Sequence, residues 1–203
     1  TLTKAIKGIS PKKEFQIMTE MPNTEQQFKH IISICRTLFE KKLTDYGASW
    51  RILRPQSVTD QKLIKAKRIR SLEQKGVSKI DEGINSEFIG IVNYGVIGLI
   101  QLHLKATDMV DLNTREALEL YDKYINETTN LMFAKNHDYG EAWRSMRISS
   151  FTDLILVKLY RTKQIENNEG QTLVSEGIDA NYMDMINYSI FGLIKLEFPT
   201  DSE

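Results

Sequence analysis

The chain has 203 residues, enough for one large domain or two small ones around a real core. Its 27 Lys and Arg balance 27 Asp and Glu, and 41 % of it is hydrophobic, so it is neither disordered nor a constitutive binder of duplex nucleic acid. One cysteine, Cys35, and 3 His exclude a disulfide framework and a soft-metal site, leaving oxygen ligands and a hard cation open.

Residues 1–23 begin Lys-rich, contain Pro11 and Pro22, and read as an N-terminal extension. No apolar run follows the initial basic residues, so no secretory signal is expected, and the longest apolar stretches, 94–102 and 188–194, are too short to span a bilayer. The expectation is a cytoplasmic protein that stays off membranes. Thr24 with Gln27 fits a capping box, and Phe28, Ile31, Ile32, Cys35, Leu38 and Phe39 stripe the helix it opens. The DYGASWR segment at 45–51 breaks that helix at Gly47. Helices over about 58–73 and 83–103 follow, then a polar linker at 105–112.

The pattern then repeats. DYGEAWR at 138–144 matches 45–51 at an offset of 93, and EGI at 176–178 matches 82–84 after a one-residue slip. Thirteen of 32 pairs over 44–75 and nine of 22 over 81–102 are identical, too many in one order for chance. Ala117, Leu120, Tyr121, Tyr124, Ile125 and Thr128 stripe the second copy's first helix, and helices over 151–166 and 177–196 complete it. No β-branched alternation bounded by turns occurs. The fold expected is all-α: two tandem helical units, 24–104 and 113–203, packed as a pseudo-twofold bundle around one core.

Four constellations carry chemistry. The DYG-x-x-WR segment either presents Asp45 or Asp138 and Arg51 or Arg144 to a cleft, or is a helix connection plugged by Trp50 and Trp143. Arg144, Arg147, Lys158 and Arg161 recur as Arg51, Arg54, Lys65 and Arg68, and spacings of three put each pair on one helix face. Guanidinium forks match phosphate oxygens, so these four are candidate phosphate ligands; the bland reading is a solvated face. Ser57-x-x-Asp60 and Ser150-x-x-Asp153 read as helix caps. On the last helix, with Glu176 at zero, Asp179 falls at about −60°, Asn187 at about +20° and Asp184 at about +80°, opposite Ile178, Met185, Ile186 and Leu193. Clustered carboxylates facing basic residues suit Mg²⁺ and a polyphosphate, with Glu176, Asp179 and Asp184 as metal ligands. Asn85 and Gly90 replace Asp179 and Asp184 in the first copy, so the second copy is the expected site.

KN-x-DYG-x-x-W at 135–143, R-x-x-S-x-TDL at 147–154, K-x-x-R at 158–161 and SEGIDANYMDMINY at 175–188 resemble the nucleotide modification associated domain 1 family in tandem form. The resemblance covers about 24–197 and implies an α-helical domain linked to nucleotide or base modification. A looser likeness, through Glu176-x-x-Asp179, is to the all-α nucleoside triphosphate pyrophosphohydrolases of the MazG and dimeric dUTPase type, whose E-E-x-x-E helix has no counterpart here. On these readings the partner is a nucleotide or nucleoside triphosphate, with Tyr139 and Asn187 on base or sugar. The chain is then either a Mg²⁺-dependent pyrophosphohydrolase-like enzyme, or a non-catalytic nucleotide sensor or helical scaffold. Assembly into a homo-oligomer is compatible with all of these.

Overall fold

The computed structural model describes residues 23–75 and 81–199, the side chains of residues 81 and 82 excepted. The expected N-terminal extension, but for Asn23, and the Glu82 side chain lie outside the described residues. Among the described residues six helices follow one another: α1 (Thr24–Tyr46), α2 (Pro55–Lys75), α3 (Asp81–Leu104), α4 (Thr114–Tyr139), α5 (Ile148–Asn167) and α6 (Ile178–Glu197). A 3₁₀ turn sits between α1 and α2 (Ser49–Ile52) and another between α4 and α5 (Ala142–Ser145). There is no strand among the described residues, and helix order is the same in both halves. The all-α expectation holds.

Local chemistry explains each boundary. The capping box of α1 is Asn23 with Gln26, one residue before the expected Thr24–Gln27 pair, and Asn113 with Glu116 does the same for α4. The Thr24 hydroxyl is taken instead by Arg144 and Glu141. The stripe ends where Gly47 (φ 65°) and Gly140 (φ 58°) adopt left-handed angles that turn the chain. α2 opens on Pro55, whose fixed φ suits a first helical position.

α3 and α6 form the centre. The stretch 83–104 is long and apolar enough to cross a membrane, but most of it is buried among the other helices, as befits a core helix. Ile91, Val92, Val96 and Ile100 face Met185, Ile186, Ile190 and Ile194 in one continuous core. The approach is close: a Cβ on Gly98 would come within 2.4 Å of the Tyr182 ring.

Contacts between the helices come in pairs of equivalent elements. α2 packs on α3 and α5 on α6; the equivalents α3 and α6 meet, as do α2 and α5. Thr59 Oγ1 donates to Glu166 (2.7 Å) and its counterpart Thr152 to Glu73 (2.8 Å), each bond crossing between repeats. Asp60 pairs with Lys163 (2.6 Å) and Asp153 with Arg70 (3.8 Å), again counterparts. These aspartates therefore join the repeats rather than cap helices, since α2 and α5 already begin at residues 55 and 148.

Candidate functional site

The DYG-x-x-WR turns are structural. Trp50 and Trp143 are 8 % and 6 % exposed, as expected, and Trp143 stacks on Phe191 with centroids 4.5 Å apart. Arg51 is fully buried, forks onto Asp111 (2.7 and 3.1 Å), and donates to Gln101 and the Lys105 carbonyl, tying the inter-repeat linker to the turn. Arg144 donates to Glu141 (2.7 Å), Thr24 (2.6 Å) and Gln27 (2.9 Å), clamping the second turn to α1. Gln101 and Lys195, equivalent positions, hold the same turn carbonyls: Leu53 O in one copy and Met146 O in the other. Arg147 is the exposed N-cap residue of α5, and Tyr139 is exposed at the end of α4. Arg144, Arg147 and Tyr139 do not border the pocket that Lys158 and Arg161 line.

Lys158, Arg161, Glu176 and Asp184 do come together. Asp184, on α6, is nearly buried and bridges two ammonium groups, Lys158 at 2.6 Å and Lys135 at 3.0 Å. Burial works against the charge on Lys135, but the bond to Asp184 and the field of Glu176 outweigh it and raise its pKa. Tyr188 is also raised, by burial first and then by Asp184; Arg161 opposes and Glu176 adds to the shift. A pocket of about 560 Å³ opens beside this cluster, bordered by Lys158, Arg161, Glu176 and Asn181. The loop over it carries Leu173 and Val174, both fully exposed.

Asp179 and Asn187 stand apart. Asp179 is exposed in the first turn of α6 and borders a separate depression with His103 and Glu127. Asn187 is buried, and its amide donates to the Thr128 carbonyl (3.2 Å), as Asn93 donates to the Cys35 carbonyl (3.1 Å). The Asn93 oxygen accepts from Tyr121 (2.8 Å); the Asn187 oxygen has no partner, and the residue equivalent to Tyr121 is Phe28, which has no hydroxyl to offer. Glu176, Asp179 and Asp184 thus do not form one cage, and among the described residues no three His, Cys, Asp or Glu are grouped to hold a metal.

In the first repeat the carboxylate sits one helical turn earlier. Gly90 occupies the Asp184 position, and Glu87 binds Arg68 (2.8 Å) and Lys65 (3.4 Å) instead. Each repeat therefore neutralises a different pair of its three equivalent cations. Glu87 leaves Lys42 without an ion pair among the described residues; Asp184 leaves Arg161 so. Lys135 opens the KN-x-DYG-x-x-W motif, but the cation pairing read from the sequence omits both it and its match Lys42, at the same offset of 93 as the turns.

Comparison with known proteins returned one family, described as nucleotide modification associated domain 1, matching residues 42–102 and again 135–196. Each match opens on one of the paired lysines and runs through the turn to the end of the central helix. No curated protein and no solved structure matches the chain. The two matches span more than half of the sequence, so this chain belongs to the nucleotide modification associated domain 1 family and carries two copies of the domain in tandem.

Proposed function

We propose that the chain is a nucleotide-binding protein, and that the pocket beside α5 and α6 receives the phosphates. The observation that carries this reading is Arg161: a guanidinium without an ion pair among the described residues, bordering a cavity of about 560 Å³ with Lys158 beside it. A guanidinium fork is suited to phosphate oxygens, and the volume lies within the usual range of ligand pockets. Arg144 and Arg147 are left out because neither borders this pocket, and Arg144 already binds Glu141, Thr24 and Gln27. Base contacts would come from the amides of Asn181 and Gln171, which border the pocket, rather than from Tyr139 or Asn187.

Mg²⁺ would enter with the phosphates. Such ions are commonly held by one or two carboxylates plus phosphate oxygens, and Glu176 borders the pocket while Asp184 lies at its edge through Lys158. Asp179 has no part in that arrangement. Pyrophosphate release would need a carboxylate to help activate water, and Asp184 is held by two lysines; binding without turnover is the better-supported reading. A scaffold role is the second reading, favoured by the exposed Leu173 and Val174 on the adjoining loop.

Thermal melts with nucleoside triphosphates, with and without Mg²⁺, test the proposal. Nucleotide at a hundred times its Kd should add about 2.7 kcal/mol of stability. Glu176→Gln should remove the Mg²⁺-dependent part of that gain. A flat response to every nucleotide would leave the scaffold reading.

A further inference from the structure

A cavity of about 600 Å³ lies in the first repeat, between α1, the first 3₁₀ turn, α2 and α3. It is distinct from the pocket beside Arg161 and shares no residue with it. Its inner wall is aromatic: Phe39 and Trp50 pack together with centroids 6.1 Å apart. Its rim is apolar and open, with Tyr46 57 % and Ile52 54 % exposed. Tyr46 has an exposed counterpart in Tyr139, but the position equivalent to Ile52 is Ser145, so the aliphatic part of this rim is particular to the first repeat.

Lys42 and Lys65 also line it, and they are the counterparts of Lys135 and Lys158. In the second repeat those two ammonium groups are bridged by Asp184. In the first repeat Gly90 removes that carboxylate. Lys42 is left without an ion pair among the described residues, and Lys65 crosses above Gly90 to reach Glu87 at 3.4 Å. The second repeat thus fills its own anion position, and the first leaves that position to a visitor. The unpaired Trp50 indole N–H does not mark the site, because Trp143 is equally unpaired.

We infer that this cavity is a second ligand site, taking a flat aromatic base against Trp50 and a single phosphate between Lys42 and Lys65, the chemistry of a nucleoside monophosphate. The phosphate does what the Asp184 carboxylate does in the other repeat. Two lysines suit one phosphoryl dianion better than a polyphosphate; Arg68 does not line the cavity and holds Glu87 at 2.8 Å, which leaves Lys65, only 3.4 Å from that carboxylate, able to turn to the phosphate.

Gly90→Asp installs the missing carboxylate. Its Cβ would meet only the far end of the Lys65 side chain, two methylenes at 2.7 and 2.8 Å and Nζ at 3.1 Å, and that flexible chain can shift to pair with the new carboxylate as Lys158 pairs with Asp184. The experiment titrates the four nucleoside 5′-monophosphates into the full chain by calorimetry, with the parent nucleosides and inorganic phosphate as separate probes. At least one monophosphate should bind wild type. Its nucleoside and free phosphate should each bind at least tenfold more weakly. In a chain already carrying Arg161→Ala, which weakens the second-repeat pocket, the monophosphate should still bind, and adding Gly90→Asp or the exposed Lys42→Ala should lower that affinity at least tenfold with the melting curve retained. Absence of monophosphate binding to the Arg161→Ala chain, equal affinity for the nucleoside, or indifference to both Gly90→Asp and Lys42→Ala would overturn the inference. Triphosphate binding by wild type and Arg161→Ala, read separately, distinguishes failure here from failure of the nucleotide pocket in the second repeat.

Discussion

Lys62 is wholly buried on α2, and its amine meets no hydrogen-bond acceptor, only the face of Tyr182, 3.0 Å from the ring centroid. Burial pushes its pKa well below the ordinary lysine value, opposed only by Glu166. The unfolded chain therefore binds a proton that the folded chain gives up over the interval between the two pKa values. Stability supplied by this position rises with pH through that interval. The equivalent residue in the second repeat is Ile155, also buried, which shows what the pocket accepts. Lys62→Met should stabilise the protein at pH 7 by about 1–3 kcal/mol, and the gain should shrink as pH approaches 10; denaturant titrations at both pH values read this. Asp184 behaves oppositely. Replacing it with Asn would leave the nearly buried Lys158 without its counterion and cost about 1.5–3 kcal/mol, visible as a lower denaturation midpoint. An unchanged midpoint would mean that the bridge to Lys135 and Lys158 contributes nothing.

At the scale of elements, the repeated turn is the feature most fully legible in the sequence. The Gly of DYG, the plugging Trp and the helix on either side all follow from local chemistry, and both copies obey it. The two glycines are not equivalent in conformation, however. Gly140 sits in the left-handed helical region (φ 58°, ψ 42°), whereas Gly47 has φ 65° and ψ −165°, a region open to little but glycine. Gly140→Ala should cost about 1–2 kcal/mol and Gly47→Ala more, a ranking that paired thermal melts can check. The polar face of the last helix was less legible. A helical wheel sets Asp184 and Asn187 opposite the apolar stripe, but α6 is packed by α1, α3, α4 and α5 together, so little of it meets solvent. Burial all round turned those two residues into an ion-pair bridge and an interior hydrogen bond. Nothing within one helix could have revealed that, because the partners Lys135 and Thr128 lie about fifty or more residues earlier. The basic set divided for the same reason: Arg144 serves α1 from another repeat, while Lys158 and Arg161 remain at the pocket.

For the whole molecule, the two repeats share one core and should unfold as one. α3 and α6 pack on each other across the repeats, and beside them α2 meets α5 through the Thr59–Glu166 and Thr152–Glu73 bonds. A fragment of residues 24–112 would expose Ile91, Val96 and Ile100, and it should show neither a cooperative melt nor dispersed amide signals. A folded fragment would contradict the shared core. The duplication also explains how one domain type yields two different cavities. Moving one carboxylate by a turn, from the Asp184 position to the Glu87 position, changes which cation is neutralised and which is left beside open space. Arg68 and Arg161 are counterparts, yet Arg68 is bound to Glu87 and Arg161 is not bound by Asp184. Calorimetric titration of a nucleoside triphosphate with Mg²⁺ into wild type, Arg161→Ala and Arg68→Ala tests that claim most directly. The prediction is at least a tenfold loss of affinity for Arg161→Ala, the loss expected of a charge-assisted contact of about 1.5–3 kcal/mol, with Arg68→Ala close to wild type. Equal losses in both variants, no loss in either, or no binding by wild type would contradict it.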